Sequence, residues 1–163
     1  MTAYLYNAPS GVPGDVTRKQ ESNVEPIILG EAFDHFGRPY KLDATTGKAM
    51  MIDAGDAATV FDGILSRSVP QISGNDSQGL NDAIPNADSV NGGLVRGYIN
   101  VICTVGTPVR GGIVYMRVQT DTGKEIGDFE ATSDTTNSVA LVGVEWASNG
   151  KDASGIAEIR VAK

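Results

Sequence analysis

The sequence feature that most constrains the fold is a two-residue alternation of apolar side chains in the second half of the chain. Between residues 95 and 103, Val95, Ile99 and Cys103 fall on one face, whereas Arg96 falls on the other. Side chains of a β-strand point alternately to opposite faces of the sheet, so this pattern predicts a strand with one buried face.

The same alternation recurs after a turn-rich connection. In residues 113–120, Val114, Met116 and Val118 fall on one side and Arg117 falls on the other. Two alternating runs separated by a glycine-containing connection predict an antiparallel hairpin with a loop longer than two residues. With these two, the number of predicted strands is about eight. The others include residues 27–33, 48–52, 58–65, 139–146 and 157–161.

Turn residues separate these short strands throughout the chain. The 163 residues include 20 glycines and 7 prolines, a glycine share above the usual level of about 7%. No convincing amphipathic helix is present between the strands. We therefore predict an all-β fold, an antiparallel β-sandwich of the jelly-roll-like kind, with an open barrel as the alternative. The length predicts a single domain.

The N-terminal residues 1–25 are polar and interrupted by proline and glycine, which predicts an extended arm ahead of a domain at 26–163. Two interpretations of the arm are open. It is either a frayed terminus or a segment that docks on a partner, because Tyr4, Leu5 and Tyr6 are costly to leave in water.

A polar insertion at residues 66–92 is the second unusual segment. It exceeds the roughly 12–15 residues beyond which connecting loops tend to be functional or disordered. One helical turn is predicted near its end, where Leu80 and Ile84 supply apolar side chains.

The charge balance restricts the class of partner. Twenty acidic and thirteen basic residues give a formal charge of −7, which repels nucleic-acid backbones and anionic membranes, so we expect neither as a partner. Three interpretations of the acidic segment at 53–93 are open: solubilising turns, an anionic docking face, or a calcium site, the last without a matching loop motif. Its aspartates are Asp53, Asp56, Asp62, Asp76, Asp82 and Asp88.

The residues that could carry chemistry are few. With one histidine, His35, and one cysteine, Cys103, the chain cannot supply an ordinary Cys/His zinc cluster or an internal disulfide. We expect His35 to be a hydrogen-bonded surface residue and Cys103 to be a buried, inert thiol. No nucleophile-elbow, P-loop or dinucleotide-binding motif is found. We therefore predict no catalytic, cofactor-binding or metal site.

Two weaker possibilities remain open. Glu31 and Glu145, both on predicted strands, are the carboxylates that a glycosidase pair would use. Trp146 shares a side with Val142 and Val144 in the strand 139–146, where core packing is the expected role and sugar stacking is the alternative.

Several segments resemble the structural cement proteins that decorate the heads of tailed bacteriophages, and the resemblance covers roughly residues 24–163. It rests on strand-and-glycine patterns, which are VFDGILSR at 60–67, GGLVRGYINV at 92–101, GIVYMRV at 112–118, GDFEA at 127–131, VAL at 139–141 and GIAEIRV at 155–161.

The resemblance implies a non-enzymatic virion protein that binds the outer face of the expanded head and bridges neighbouring major capsid protein subunits. It also implies self-association, as a dimer or a trimer. Because no secretory signal is visible, we expect synthesis in the host cytoplasm. The expected contacts are Tyr4, Leu5 and Tyr6 of the arm with Leu80 and Ile84 of the loop. The alternative function is a tail or fibre module that binds a host glycan or another virion protein.

Overall fold

The computed structural model describes residues 11–67 and 84–162. These residues form nine strands and two short 3₁₀ turns, at Lys19–Glu21 and Ala58–Val60. The strands are β1 (Asn23–Ile28), β2 (Pro39–Leu42), β3 (Ala49–Met50), β4 (Gly63–Ser66), β5 (Val90–Val105), β6 (Ile113–Arg117), β7 (Phe129–Glu130), β8 (Ser138–Trp146) and β9 (Ile156–Ala162).

Five of the strands close into a ring. The order is β5–β7–β6–β8–β9, and β9 pairs again with β5. β7 pairs in parallel with β5, whereas the other four contacts in the ring are antiparallel. The predicted all-β class is thereby confirmed. The sheet has a barrel-like, closed arrangement, and the jelly-roll-like sandwich that the sequence favoured is not specifically confirmed by these pairings. The predicted antiparallel hairpin of 95–103 with 113–120 is wrong, because β7 lies between β5 and β6.

The long strand β5 connects the ring to the rest of the sheet. Its first half pairs with β1 on one side and with β4 on the other. β4 continues to β2, and β2 continues to β3. The barrel is thus extended by four further strands, which attach to both sides of the first half of β5.

The barrel interior is the main core, and its side chains come from the alternating positions of the strands. Ile99, Val101 and Cys103 of β5 are buried there, as are Val114 and Met116 of β6. These three β5 positions are among those that the alternation predicted. Val95, also predicted to face inward, is only partly buried, and Leu94 is buried in the core instead, on the far side of Gly97, which adopts φ +127°. The C-terminal strand likewise buries Ala157, Ile159 and Val161, as predicted.

The predicted alternation is wrong in β8. Val144 and Trp146 are buried, but Val142 is 85% exposed and Leu141 is buried in its place. Gly143 adopts φ +75°, and the pairing of β8 with β6 shifts across this point. An inserted bulge residue reverses the alternation on one side of itself, which explains the change of face.

A second, smaller core lies beside the barrel. It contains Leu29, Phe33, Phe36, Tyr40, Ala49 and Leu65. The Tyr40 ring lies across Gly63 of β4 and Gly93 of β5, where an added Cβ would come within 2.6 and 2.4 Å of the Tyr40 hydroxyl. The two glycines therefore leave the room that this aromatic ring needs.

Residues 11–22, which we call the N-terminal strap, run antiparallel along β5 before β1 does the same. The N–H of Gly14 donates to the carbonyl of Asn100 at 2.8 Å, and Val16 bridges Ile99. β1 begins at Asn23, inside the predicted arm, and β5 begins at Val90, inside the predicted 66–92 loop. The division into arm (1–25), domain (26–163) and inserted loop stays a prediction.

Candidate contact surface

The predicted contact residues fall mostly outside the described ranges. Tyr4, Leu5, Tyr6 and Leu80 lie outside residues 11–67 and 84–162. Ile84 lies inside them, where its side chain is 50% exposed. The surface can therefore be described from the chain segments that flank the predicted contacts.

The described ends of the arm and the loop meet. The N–H of Arg67, the first residue after β4, donates to the carbonyl of Gly14 in the strap at 2.6 Å. Gly14 adopts φ +84° and Gly37 adopts φ +83°. An added Cβ on Gly14 would lie 2.6 Å from the Cβ of Phe36. Glycine is thus required for the strap to reach this position.

The far end of the loop packs along the segment that follows β1. The N–H of Leu29 donates to the carbonyl of Ser89 at 3.1 Å, and the N–H of Asp88 donates to the carbonyl of Leu29 at 2.8 Å. The N–H of Phe33 donates to the carbonyl of Pro85 at 3.0 Å. The structure therefore places one described end of the predicted loop next to the strap and the other next to the segment that follows β1.

Four exposed aliphatic side chains lie on β1, at the start of β5 and at the end of the loop. They form what we call the β1 strip: Val24 (42% exposed), Ile28 (47%), Ile84 (50%) and Val90 (69%). Ile28 and Val90 are direct partners in the β1–β5 pairing. Of the described strands, only β5 pairs with β1, so the strip borders an edge of the sheet.

The sequence did not predict Val24, Ile28 and Val90 as contact residues. One signal was available, because Pro26 interrupts the apolar run and proline within a strand is found on edge strands. An edge strand with exposed aliphatic residues is a surface that proteins normally cover.

Three aspartates of the acidic segment 53–93 form ion pairs with lysines. Lys41 contacts Asp53 and Asp56, each at 2.7 Å, and Lys48 contacts Asp88 at 2.7 Å. Burial raises the pKa of Asp56, but the hydrogen bond and positive charge of Lys41 and the hydrogen bond from the N–H of Asp53 together outweigh this effect, and the pKa is lowered. These three aspartates stabilise turns through their ion pairs. This favours the interpretation of the acidic segment as turn residues over an anionic docking face.

A buried arginine joins two loops below the second core. Arg38 contacts Asp34 through two nitrogens, Asp128 at 2.5 Å and Glu125 at 2.7 Å. Burial of Asp34 raises its pKa, but the hydrogen bonds and positive charge of Arg38, with the hydrogen bond from the N–H of His35, together outweigh this effect, and the pKa is lowered. Charge-assisted bonds of this kind are stronger than neutral ones, so Arg38 holds the 34–38 and 125–128 segments together.

A second buried arginine lies at the end of β6. Arg117 and Glu130 are both fully buried, with Nε and Oε1 2.6 Å apart, and Arg117 also contacts Asp134 at 2.9 Å. The alternating pattern predicted that Arg117 lies on the face of β6 opposite the apolar side chains. Its side chain is nevertheless buried, because β7 supplies a carboxylate that pairs with it.

The residues that could carry chemistry, His35, Cys103 and Trp146, are each hydrogen-bonded or buried within the fold. The Nδ1–H of His35 donates to the carbonyl of Phe36 at 2.6 Å on a partly exposed side chain, as predicted. Cys103 is buried, and burial raises the pKa of its thiol. Trp146 is buried in the barrel core, which confirms core packing.

The two candidate glycosidase carboxylates have separate partners. Glu31 lies in the bend after β1, not on a strand as predicted, and accepts the N–H of Met51 at 2.7 Å. Glu145 on β8 contacts Arg160 at 2.6 Å. Nothing in these contacts brings the two carboxylates into one site.

Across 11–67 and 84–162, no group of three or more His, Cys, Asp or Glu side chains is arranged to hold a metal ion. No helix in these ranges is long and apolar enough to cross a membrane.

Comparison with known proteins decides the family. Residues 1–161 match the model of the XM1 gp53 minor capsid protein family. The chain belongs to this family. The resemblance to phage head proteins is thereby confirmed at the level of a capsid-associated protein of a bacteriophage, and the family gives the chain a structural role in the virion.

A solved structure supports the fold. A chain from the capsid of Myoviridae phage XM1 superposes with a TM-score of 0.72 at 20% sequence identity, covering 99% of this chain and 96% of that one. At this identity the similarity concerns the fold. No curated protein matches the sequence.

Proposed function

We propose that this minor capsid protein binds the outer face of the expanded phage head and bridges neighbouring major capsid protein subunits, so that it stabilises the shell. The observation that carries the proposal is the convergence of the strap, the described ends of the 66–92 loop and the β1 strip on one part of the molecule. This contact surface is the part of the protein that we assign to the shell.

The strip supplies apolar area for such a contact. Each fully buried aliphatic side chain contributes about 1.5–3 kcal/mol relative to full exposure, and the side chains of the strip retain 42–69% of their exposure. Covering them and the adjacent sheet edge favours binding. Arm residues Tyr4, Leu5 and Tyr6, with Leu80 of the loop, are proposed to extend the contact.

The proposed role needs only modest affinity at each site. A protein that binds the assembled, expanded lattice and not its separated parts stabilises the lattice by mass action. Self-association as a dimer or trimer would join several weak contacts into one stronger attachment. The formal charge of −7 also disfavours adhesion to DNA.

The test is co-sedimentation of the purified protein with phage heads that lack it, both expanded and unexpanded. We expect saturable binding to expanded heads at a fixed ratio to the major capsid protein. A variant lacking residues 1–10 should keep its unfolding temperature and lose most of this binding.

Binding to neither form of the head would refute the proposal. The tail or fibre interpretation would then be tested by a glycan screen. Equal binding to both forms would refute the preference for the expanded lattice. Sedimentation velocity of the free protein tests the proposed dimer or trimer.

A further inference from the structure

Arg67 lies between two open clefts of about 490 Å³ each. Its guanidinium group lies over the Phe36 ring, 5.3 Å from the ring centroid. Its Nε atom is buried and has no hydrogen-bond partner among the residues that the structure describes. A buried donor without an acceptor is unfavourable, and more so when it carries charge.

In the part of the chain that the structure describes, the other arginines either pair with a carboxylate or are exposed to water, unlike Arg67. Arg38 and Arg117, the two buried ones, each pair with carboxylates, and the partly exposed Arg18 and Arg160 pair with Glu158 and Glu145. Arg96 and Arg110 are exposed, so water can solvate them. Arg67 therefore combines partial burial with the lack of a carboxylate partner in the described part of the chain.

One of the two clefts also has an apolar lining. Val12, Pro13, Phe36, Ile102 and Ile156 line it together with Arg67. An acidic side chain flanked by apolar residues would match this combination, since a guanidinium group binds a carboxylate with two parallel hydrogen bonds.

Other ionisable side chains also line the clefts. His35 and Asp152 line the same cleft, and Asp15 and Lys19 line the other one. Asp152 Oδ1 accepts the N–H groups of Ser154 at 2.9 Å and Ile156 at 2.8 Å, so this carboxylate is used in its own turn.

We propose that Arg67 and the Phe36 ring form a binding site for a carboxylate side chain presented by another protein subunit of the shell. This inference rests on the proposed function, because the subunit is part of the head. Arg67 is also the residue at which the strap and the loop meet, so the bound carboxylate would lie at the centre of the contact surface.

The first test uses the free protein and acetate as the probe. In ¹⁵N-labelled protein, the Nε–Hε signal of Arg67 should shift saturably with sodium acetate and not with sodium chloride at equal ionic strength. The signal of exposed Arg110 serves as the control. Equal responses of Arg67 and Arg110 would overturn the proposal.

The second test uses heads that lack the protein. Arg67→Gln and Arg67→Lys should bind at least about tenfold more weakly than wild type, whereas Arg110→Gln should bind normally. If wild type binds and the Arg67 variants bind equally well, the carboxylate site is wrong while the head-binding role stands.

Two further outcomes are distinguishable. If wild type fails to bind heads, the proposed function is wrong, and the acetate titration alone decides whether the site exists. If Arg67→Gln fails to fold, as shown by its thermal transition, head binding by Arg67→Lys and the acetate titration of the wild type test the carboxylate site instead. An acetate response without an effect of Arg67→Lys on head binding would show a site for free carboxylates and refute its role toward the shell.

Discussion

The backbone N–H of Arg67 donates a hydrogen bond to the carbonyl oxygen of Gly14 over 2.6 Å. The two residues are far apart in sequence, and each stands at the described end of a segment predicted to contact a partner. Their hydrogen bond fixes the bases of both segments to one point of the fold. The arm and the loop are therefore expected to act on the same partner surface.

This junction depends on glycine at position 14. Gly14→Ala should lower the free energy of unfolding by about 1–3 kcal/mol more than Gly47→Ala, because the new Cβ would overlap Phe36. Gly47 also has a positive φ, of +68°, but has no atom within 4 Å of the added Cβ, so it controls for backbone strain. Urea denaturation monitored by Trp146 fluorescence measures both. Equal losses would show that the close approach is not required.

The β1 strip should contribute to head binding without contributing to stability. The double variant Ile28→Lys with Val90→Lys should weaken binding to expanded heads by at least about tenfold, through the loss of apolar contact and the charge introduced. The matched control is Val142→Lys on β8, which replaces a side chain that is 85% exposed. Thermal transitions of all variants should stay close to that of wild type. A control variant that weakens binding as much as the double variant would place the contact elsewhere.

Sequence reasoning succeeded where strands alternate without interruption. The inward face of β9, and that of β5 from Ile99 onward, followed directly from the positions of Ile99, Val101, Ile159 and Val161. It failed at β8, because a bulge at Gly143 depends on pairing with β6 and leaves no periodic signal.

Long-range pairing explains the other differences. Ring closure needs β7, a strand of two residues that pairs in parallel with β5, and so short a strand has no periodicity to detect. Arg117 is buried because Glu130 comes from that strand. The contact surface was predicted only in its segments, since the meeting of Gly14 and Arg67 is a tertiary contact.

The buried pair of Arg117 and Glu130 should matter much more than an exposed one. Glu130→Gln should lower the free energy of unfolding by about 3 kcal/mol, because it removes the charge that compensates a buried guanidinium group. Glu145→Gln, which removes a carboxylate from the exposed pair with Arg160 at 2.6 Å, should cost less than about 1 kcal/mol. Chemical denaturation measures the free energy of unfolding of both variants. Similar losses for both variants would contradict the assignment of Arg117 as a buried structural charge.

The arginine networks also predict how stability depends on pH. Hydrogen bonds from Arg117 and then Asn137 hold the pKa of Asp134 below its usual value. The stability contributed by a carboxylate with a lowered folded pKa is complete above its unfolded pKa of about 3.9 and is lost as the pH falls through the folded pKa. Stability should therefore decline below about pH 4.

Asp134→Asn should reduce the steepness of this decline, as measured by thermal unfolding across the acidic range. Glu21→Gln, which removes a carboxylate from the exposed 3₁₀ turn, controls for the change in net charge. If Asp134→Asn and wild type decline equally, the pairing with Arg117 does not contribute to acid sensitivity.

The orientation of the protein on the head tests the central claim most directly. Electron cryo-microscopy of expanded heads saturated with the purified protein should show it on the outer surface, with the strap, Arg67 and the β1 strip facing the major capsid protein and the outer face of β6 and β8 facing solvent. Density in which β6 and β8 face the shell and the strip faces solvent would contradict the account.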